Sequence, residues 1–271
     1  MFENCLIVKM RRSRPAQVVR DSVATASYNE EKEADASGIY KHLFKNEPLV
    51  NALNNCYTNM YLFHTKNSRP WLDEGMRMID GVHYLDYIKG VDNFRSQLQD
   101  TLTKIKDVYD EMVQRDIVRL KNLGNTCDYP TYDSYAASWK VDVNLRPVPQ
   151  KGDFRVQIPQ EVADGLEQQL QDLGVKISTS LRTEIKGAFD HVYSQLTKPD
   201  AERRLFTSLL DNLHDLLDRV PILNLCGDDT VNSVASGLTT VITNYNIKEL
   251  RLYDAARRSF ISETKALLET L

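Results

Sequence analysis

The stretch from Leu85 to Leu123 constrains this chain most. Apolar residues recur there at Leu85, Ile88, Phe94, Leu98, Leu102, Ile105, Tyr109, Met112, Leu120 and Leu123. Steps of three and four place them on one narrow stripe of a helix. No proline interrupts the run, and Gly124 follows it as the expected C-terminal stop. At about 1.5 Å per residue the rod is about 58 Å long. A rod of that kind dictates helical architecture and carries no catalytic pattern of its own. Two accounts of the stripe compete. In one it packs against helices of its own chain after Gln160. In the other it outruns those shorter helices and leaves a tip free to self-associate or to accept a partner.

The flanking segments extend the helical reading. Pro48 suits a first helical turn, and a helix from Pro48 to Thr65 would bury Leu49, Leu53, Cys56 and Met60. Pro130 opens a short helix through Tyr135 to Trp139. After Pro159 one face is Val162, Leu166, Leu170 and Leu173, stopped by Gly174. The next is Ile177, Leu181, Ile185, Phe189, Val192 and Leu196. Leu205, Leu209, Leu213 and Leu216 continue to Val220–Pro221. Asp228-Asp229-Thr230 reads as an N-cap before Val231, Val234, Leu238 and Ile242. A last helix is expected from about Asn246 to Leu271.

Only two places change period. Cys5 to Met10 is short and rich in β-branched residues, and reads as a strand ended by Arg11-Arg12-Ser13-Arg14-Pro15. Val141, Val143 and Leu145 alternate with polar residues, as do Phe154, Val156 and Ile158, with a proline-containing loop between. An isolated hairpin is marginal in water, so a three-stranded sheet with the N-terminal strand is expected, packed against helices. The fold expected is mainly α: a long antiparallel, coiled-coil-like helical arm, that small three-stranded sheet, and a C-terminal helical bundle. A soft boundary near Gln160 divides residues 1–160 from residues 161–271.

Composition excludes several classes. With 271 residues and 42% hydrophobic content a sizeable core is available, and a net charge of −4 gives no global pull toward nucleic acid or anionic membrane. Cys5, Cys56, Cys127 and Cys226 lie far apart with no CxxC pair, which predicts free thiols in a reducing compartment. The chain reaches basic residues only after its first apolar run, the reverse of a signal peptide, and about 18 apolar residues never run together. A cytoplasmic protein with no membrane partner is expected.

Chemistry is thinly signalled. His42, His64, His83, His191 and His214 stand alone, without the i,i+3 or i,i+4 spacing that brings two imidazoles to one metal. Gly-x-Ser-x-Gly, Glu-x-x-His and both glycine-rich phosphate loops are absent. Cys56 falls on an apolar helix face, which points to packing. Cys226-Gly227-Asp228-Asp229 resembles a metal-binding acidic turn, but a following apolar helix favours capping. The expectation is a non-enzymatic protein with no metal or cofactor.

One charge cluster stands out. Residues 1 to 20 hold Lys9, Arg11, Arg12, Arg14 and Arg20 against the single acid Glu3, a local net of +4. Lys9, Arg11, Arg12 and Arg14 beside a strand could grip phosphates, with Tyr129, Tyr132, Tyr135 and Trp139 as stacking surfaces. The competing account is solvated arginines and a tyrosine-rich helix face.

Several features together resemble a group of phage, plasmid and bacterial proteins often encoded beside MoxR- or CobS-like AAA+ ATPases and von Willebrand A-type proteins. They are the N-terminal strand with its basic tail, Trp71-Leu72-Asp73-Glu74-Gly75-Met76-Arg77 ahead of a long helix, Leu123-Gly124, Tyr129-Pro130, and Pro147-Val148-Pro149 with Gly152-Asp153-Phe154-Arg155-Val156. The resemblance covers roughly residues 1 to 160 and includes no catalytic motif. It implies a mobile-element protein of the bacterial cytoplasm acting as an adaptor, with an AAA+ ATPase as a partner and self-association as the other option. A nucleic-acid-binding accessory protein using the basic strand is the alternative.

Overall fold

The computed structural model describes residues 2–35, 37–150 and 159–271. In chain order these form β1 (Cys5–Ser13), β2 (Val18–Arg20), α1 (Ser22–Glu31), β3 (Tyr40–His42), α2 (Pro48–Lys66), β4 (Arg69–Pro70), β5 (Arg77–Asp80), α3 (Tyr84–Leu120), α4 (Tyr132–Ser138) and β6 (Lys140–Pro147). After them come α5 (Gln160–Leu196), α6 (Ser208–Leu223), α7 (Asp229–Thr243), α8 (Ile247–Leu252) and α9 (Asp254–Leu268). The protein is mainly α.

The chain forms two compact units that interleave along the sequence. One comprises Met1–Val8, Asn67–Tyr84 and Leu145–Leu271, the other Lys9–Lys66 and Leu85–Asn144.

In the second unit the stripe of α3 is the spine of the core. Leu98, Leu102, Ile105, Tyr109, Met112 and Val113 cluster with Leu53, Cys56, Tyr57 and Met60 of α2, with Tyr135 of α4, and with Phe44 and Trp139. The stripe is therefore covered within its own unit by α2 and α4; helices after Gln160 are not part of this cluster. Its phase begins at Tyr87 and Val91, and Leu85 lies off it, exposed. The helix ends three residues early. A 3-10 turn covers Lys121–Leu123, and Lys121 takes the left-handed conformation (φ 53°) expected of Gly124. Gly124 itself is extended (φ −71°), and its service is close approach: a Cβ there would lie 2.5 Å from the Ile117 carbonyl oxygen.

Among the described residues the sheet has four strands in the order β4-β5-β1-β6, not three. β5 runs antiparallel to β1, with Cys5 opposite Asp80 and Val8 opposite Arg77, and β4 pairs antiparallel with β5. β4 and β5 span two and four residues, too few to display a period. β6 alternates half-buried Val141, Val143 and Leu145 with exposed neighbours, as the sequence pattern requires. The second alternating run, Phe154 to Ile158, lies outside the described residues. A separate two-stranded sheet joins β2 to β3, with Val19 opposite Lys41.

Among the described residues the first unit holds two clusters. Leu170, Leu173 and Ile177 of α5 pack with Phe2, Cys5, Ile7 and Met78. Beyond them Leu181, Ile185 and Phe189 join α6, α7 and α9 in the larger cluster, with Leu213, Leu238 and Phe260 inside it. Gly174 does not stop a helix; α5 runs through it for 37 residues. The Cys226 thiol donates to the Gly174 carbonyl at 3.3 Å, so that position lies against the α6–α7 loop. The last helix is broken at Tyr253 into α8 and α9, and Asn246 and Glu249 form a reciprocal capping box at the start of α8. Asp228 caps α7 as expected, accepting from the Thr230 and Val231 amides.

Candidate functional site

The pleat of β1 divides the four cations that the sequence singled out. Side chains of a strand alternate between faces, so Met10 and Arg12 share one face while Lys9 and Arg11 occupy the other. Arg14 follows just past the strand end and borders the same cleft as Arg12. Arg11 is exposed and Lys9 half-buried, and neither side chain makes a hydrogen bond or ion pair among the described residues.

Helix α2 supplies the opposite wall. Its buried face, Val50, Leu53, Tyr57, Met60 and His64, follows helical spacing into the core. The adjoining face carries Asn54, Thr58, Tyr61 and Leu62. Between strand and helix lies a cleft of about 520 Å³, lined by Met10, Arg12, Ser13 and Arg14 on one side and Tyr57, Thr58, Tyr61 and Leu62 on the other.

The cleft is organised around Arg12. Its guanidinium carbon lies 4.5 Å from the Tyr57 ring centroid and 4.2 Å from that of Tyr61, and Nη1 donates to the Tyr57 carbonyl at 2.6 Å. Both ring distances are within cation–π range. Arg14 Nη1 donates to Asn54 Oδ1 at 3.0 Å, and Asn54 and Gln17 exchange amide hydrogen bonds of 3.1 and 3.2 Å. Burial pushes the Tyr57 phenol above its usual value, with Arg12 and Arg14 pulling the other way. The ring therefore stays neutral at physiological pH and keeps the electron-rich face that attracts a cation. Among the described residues two guanidinium groups and no carboxylate line the cleft, so its lining is cationic although the chain is acidic.

The aromatic residues that sequence reasoning placed near the arginines face the core rather than the cleft, with Trp139 edge-on to Tyr57 at 5.5 Å. Tyr135 and Trp139 are buried in the core of the second unit, and Tyr129 and Tyr132 pack against it. The hydroxyl of Tyr129 donates to Asp116 at 2.7 Å and that of Tyr132 to the Leu102 carbonyl at 2.9 Å. Their steps of three and four were a core-facing pattern. Tyr57 and Tyr61, the rings that meet Arg12, were missed. Their only local signal is a four-residue spacing beside an apolar face.

The other ionisable clusters tie backbone together. Buried Asp116 accepts from the Phe44 amide at 2.7 Å, the Tyr129 hydroxyl, and Arg119 Nε at 2.6 Å. Burial opposes its charge, but these donors win and hold its carboxyl below the usual range. Phe44 sits in the left-handed region at φ 53°, where its amide reaches that carboxylate. Lys41, 4% exposed, pairs with Asp21 at 3.1 Å and with Asp128. In the first unit, Cys5 and Cys226 border a second cavity of about 430 Å³ with Asp80 and Asn224. Burial, aided by Asp80, pushes the Cys5 thiol up to about 12. A thiol so protonated is a poor nucleophile. Cys56 donates to the Phe94 carbonyl at 3.4 Å within the core, as its helix face predicted. Among the described residues no group of three His, Cys, Asp or Glu side chains could hold a metal ion, and no helix is long and apolar enough to cross a membrane.

Comparisons with family models, with curated proteins and with solved structures find no match for this chain.

Proposed function

We propose that this chain is a non-enzymatic interaction protein, an adaptor of phage or mobile-element origin working in the bacterial cytoplasm. The observation that carries this reading is a set of large apolar side chains left outside the core clusters. Phe206, Leu252 and Tyr253 are 64%, 72% and 60% exposed. Arg251 Nε donates to the Leu205 carbonyl at 2.6 Å, tying the segment that carries Phe206 to the helix end that carries Leu252 and Tyr253. Exposed aromatic and aliphatic groups fixed by a buried neighbour are the raw material of a docking surface. The resemblance of residues 1 to 160 points to an AAA+ ATPase as the partner, with a second copy of the chain as the other occupant. The 37-residue helices α3 and α5 would then act as long supports of about 55 Å each.

The test is affinity purification of the tagged protein from a bacterial host after nuclease treatment, beside the Phe206→Ser/Leu252→Ser variant. A stoichiometric protein, or a discrete oligomer by light scattering, that the variant loses supports the adaptor. A monomer that retains no protein contradicts it.

A second reading, a nucleic-acid-binding accessory protein, draws on one specific observation: the cationic, aromatic cleft between β1 and α2.

A further inference from the structure

The cleft between β1 and α2 combines three properties. It offers a planar cation lying over two aromatic rings, a second guanidinium at its rim and, among the described residues, no carboxylate to compete for either. Among the described residues one nitrogen of Arg12 is committed, Nη1 to the Tyr57 carbonyl, which leaves Nε and Nη2 among its five N–H donors for a ligand. Arg14 is exposed and, among the described residues, makes one side-chain hydrogen bond, to Asn54. Tyr61 lines the cleft and stays 45% exposed despite the guanidinium beside it. A volume of about 520 Å³ falls in the range of small-ligand sites, roughly 300–1,000 Å³.

A flat aromatic surface beside phosphate-binding cations matches a nucleobase joined to a phosphate. Duplexes bury their base faces in the stack, whereas single strands offer them, and every base has a π-face to stack. We propose that this cleft holds one nucleotide of single-stranded nucleic acid, its base against Tyr61 and its phosphate at Arg14 and the open edge of Arg12. The inference rests on the nucleic-acid reading and sharpens it: Lys9 and Arg11, on the other face of β1, are not part of the site.

The experiment is fluorescence anisotropy of a labelled twelve-nucleotide oligothymidylate and of a twelve-base-pair duplex, across a salt series. The chain is compared with Tyr61→Leu, Arg14→Gln and the double variant Lys9→Gln/Arg11→Gln, each checked for native circular dichroism. Oligothymidylate is expected to bind more tightly than the duplex. Tyr61→Leu should weaken it about tenfold or more, and Arg14→Gln should lower the salt slope by about one. The Lys9/Arg11 variant should stay within about threefold. Should Tyr61→Leu refold poorly, Tyr61→Phe replaces it and must keep full affinity. Equal affinity for duplex and single strand with no effect at Tyr61 leaves nucleic-acid binding standing and overturns the cleft. Displacement of oligothymidylate by polyglutamate at equal charge concentration overturns it in favour of an acidic protein segment. Failure to bind either nucleic acid at low salt overturns both. Mononucleotide binding that matches the oligomer assigns the site to free nucleotide and overturns the single-strand assignment.

Discussion

The guanidinium of Arg12 lies 4.2 Å from the centre of the Tyr61 ring and 4.5 Å from that of Tyr57, on the opposite face of β1 from Lys9 and Arg11. One basic tract thus supplies an internal clamp and a pair of outward cations. Arg12→Ala should destabilise the protein by about 1–3 kcal/mol, the loss of two cation–π contacts and a charged hydrogen bond. Arg12→Lys should recover less than half, because an ammonium lacks the plane that stacks. Arg11→Ala should change stability by less than about 0.5 kcal/mol. Urea denaturation of the three variants checks the ordering.

Asp116 makes stability depend on acid. Its folded-state pKa is held below the ordinary carboxylate value by Arg119, Tyr129 and the Phe44 amide. A depressed carboxylate contributes stability that is fully present above the unfolded pKa, about 3.9, and lost as pH falls through the folded one. Asp116→Asn should therefore cost about 2 kcal/mol at pH 7, and the gap to the parent should start to narrow below about pH 4. Urea midpoints at pH 7 and pH 3 measure this. A gap that stays constant across the range would contradict the assignment.

Lys41 should behave as a compensated buried charge. Lys41→Met leaves Asp21 and Asp128 facing each other without their cation, and should lower the urea midpoint clearly. Adding Asp21→Asn and Asp128→Asn should restore most of the loss, since an uncompensated charge costs more than an absent pair. The triple variant remaining as unstable as the single one would show that the packing of the lysine chain matters more than its charge.

Glycines on the two long helices should respond in opposite directions. A Cβ on Gly90 would meet the Phe63 ring at 2.2 Å, and that ring stacks on Tyr87. Gly90→Ala should destabilise, although alanine is favoured in a helix by about 1 kcal/mol. Gly165 and Gly187 on α5 face open space, so alanine at either should stabilise by about 0.5–1 kcal/mol. Thermal melts of the three single variants separate the effects.

Where a structural signal was local, the sequence carried it. The α3 stripe from Leu98 to Met112 follows helical period, and its burial follows from that alone. Asp228 was legible because a cap needs only its own next three residues. The cleft was not legible. Arg12 and Tyr57 are 45 residues apart, and nothing local in either segment names the other. Tyr129, Tyr132, Tyr135 and Trp139 misled because a core-facing aromatic stripe and a stacking platform share one spacing. Gly174 misled because tertiary packing against Cys226 overrides the helix propensity of glycine. β4 and β5 escaped notice because pairing with β1, not their own short sequence, makes them strands.

Phe206 and Leu252 are expected to meet a protein partner. A photo-crosslinking phenylalanine analogue placed at Phe206, at Leu252 and at the exposed polar position Gln169, irradiated in bacterial cells, tests it directly. Discrete protein adducts from the first two positions and none from Gln169 are the predicted result. No adduct at Phe206 or Leu252, in cells where the tagged chain retains only nucleic acid, would contradict the adaptor and transfer the function to the Arg12 cleft.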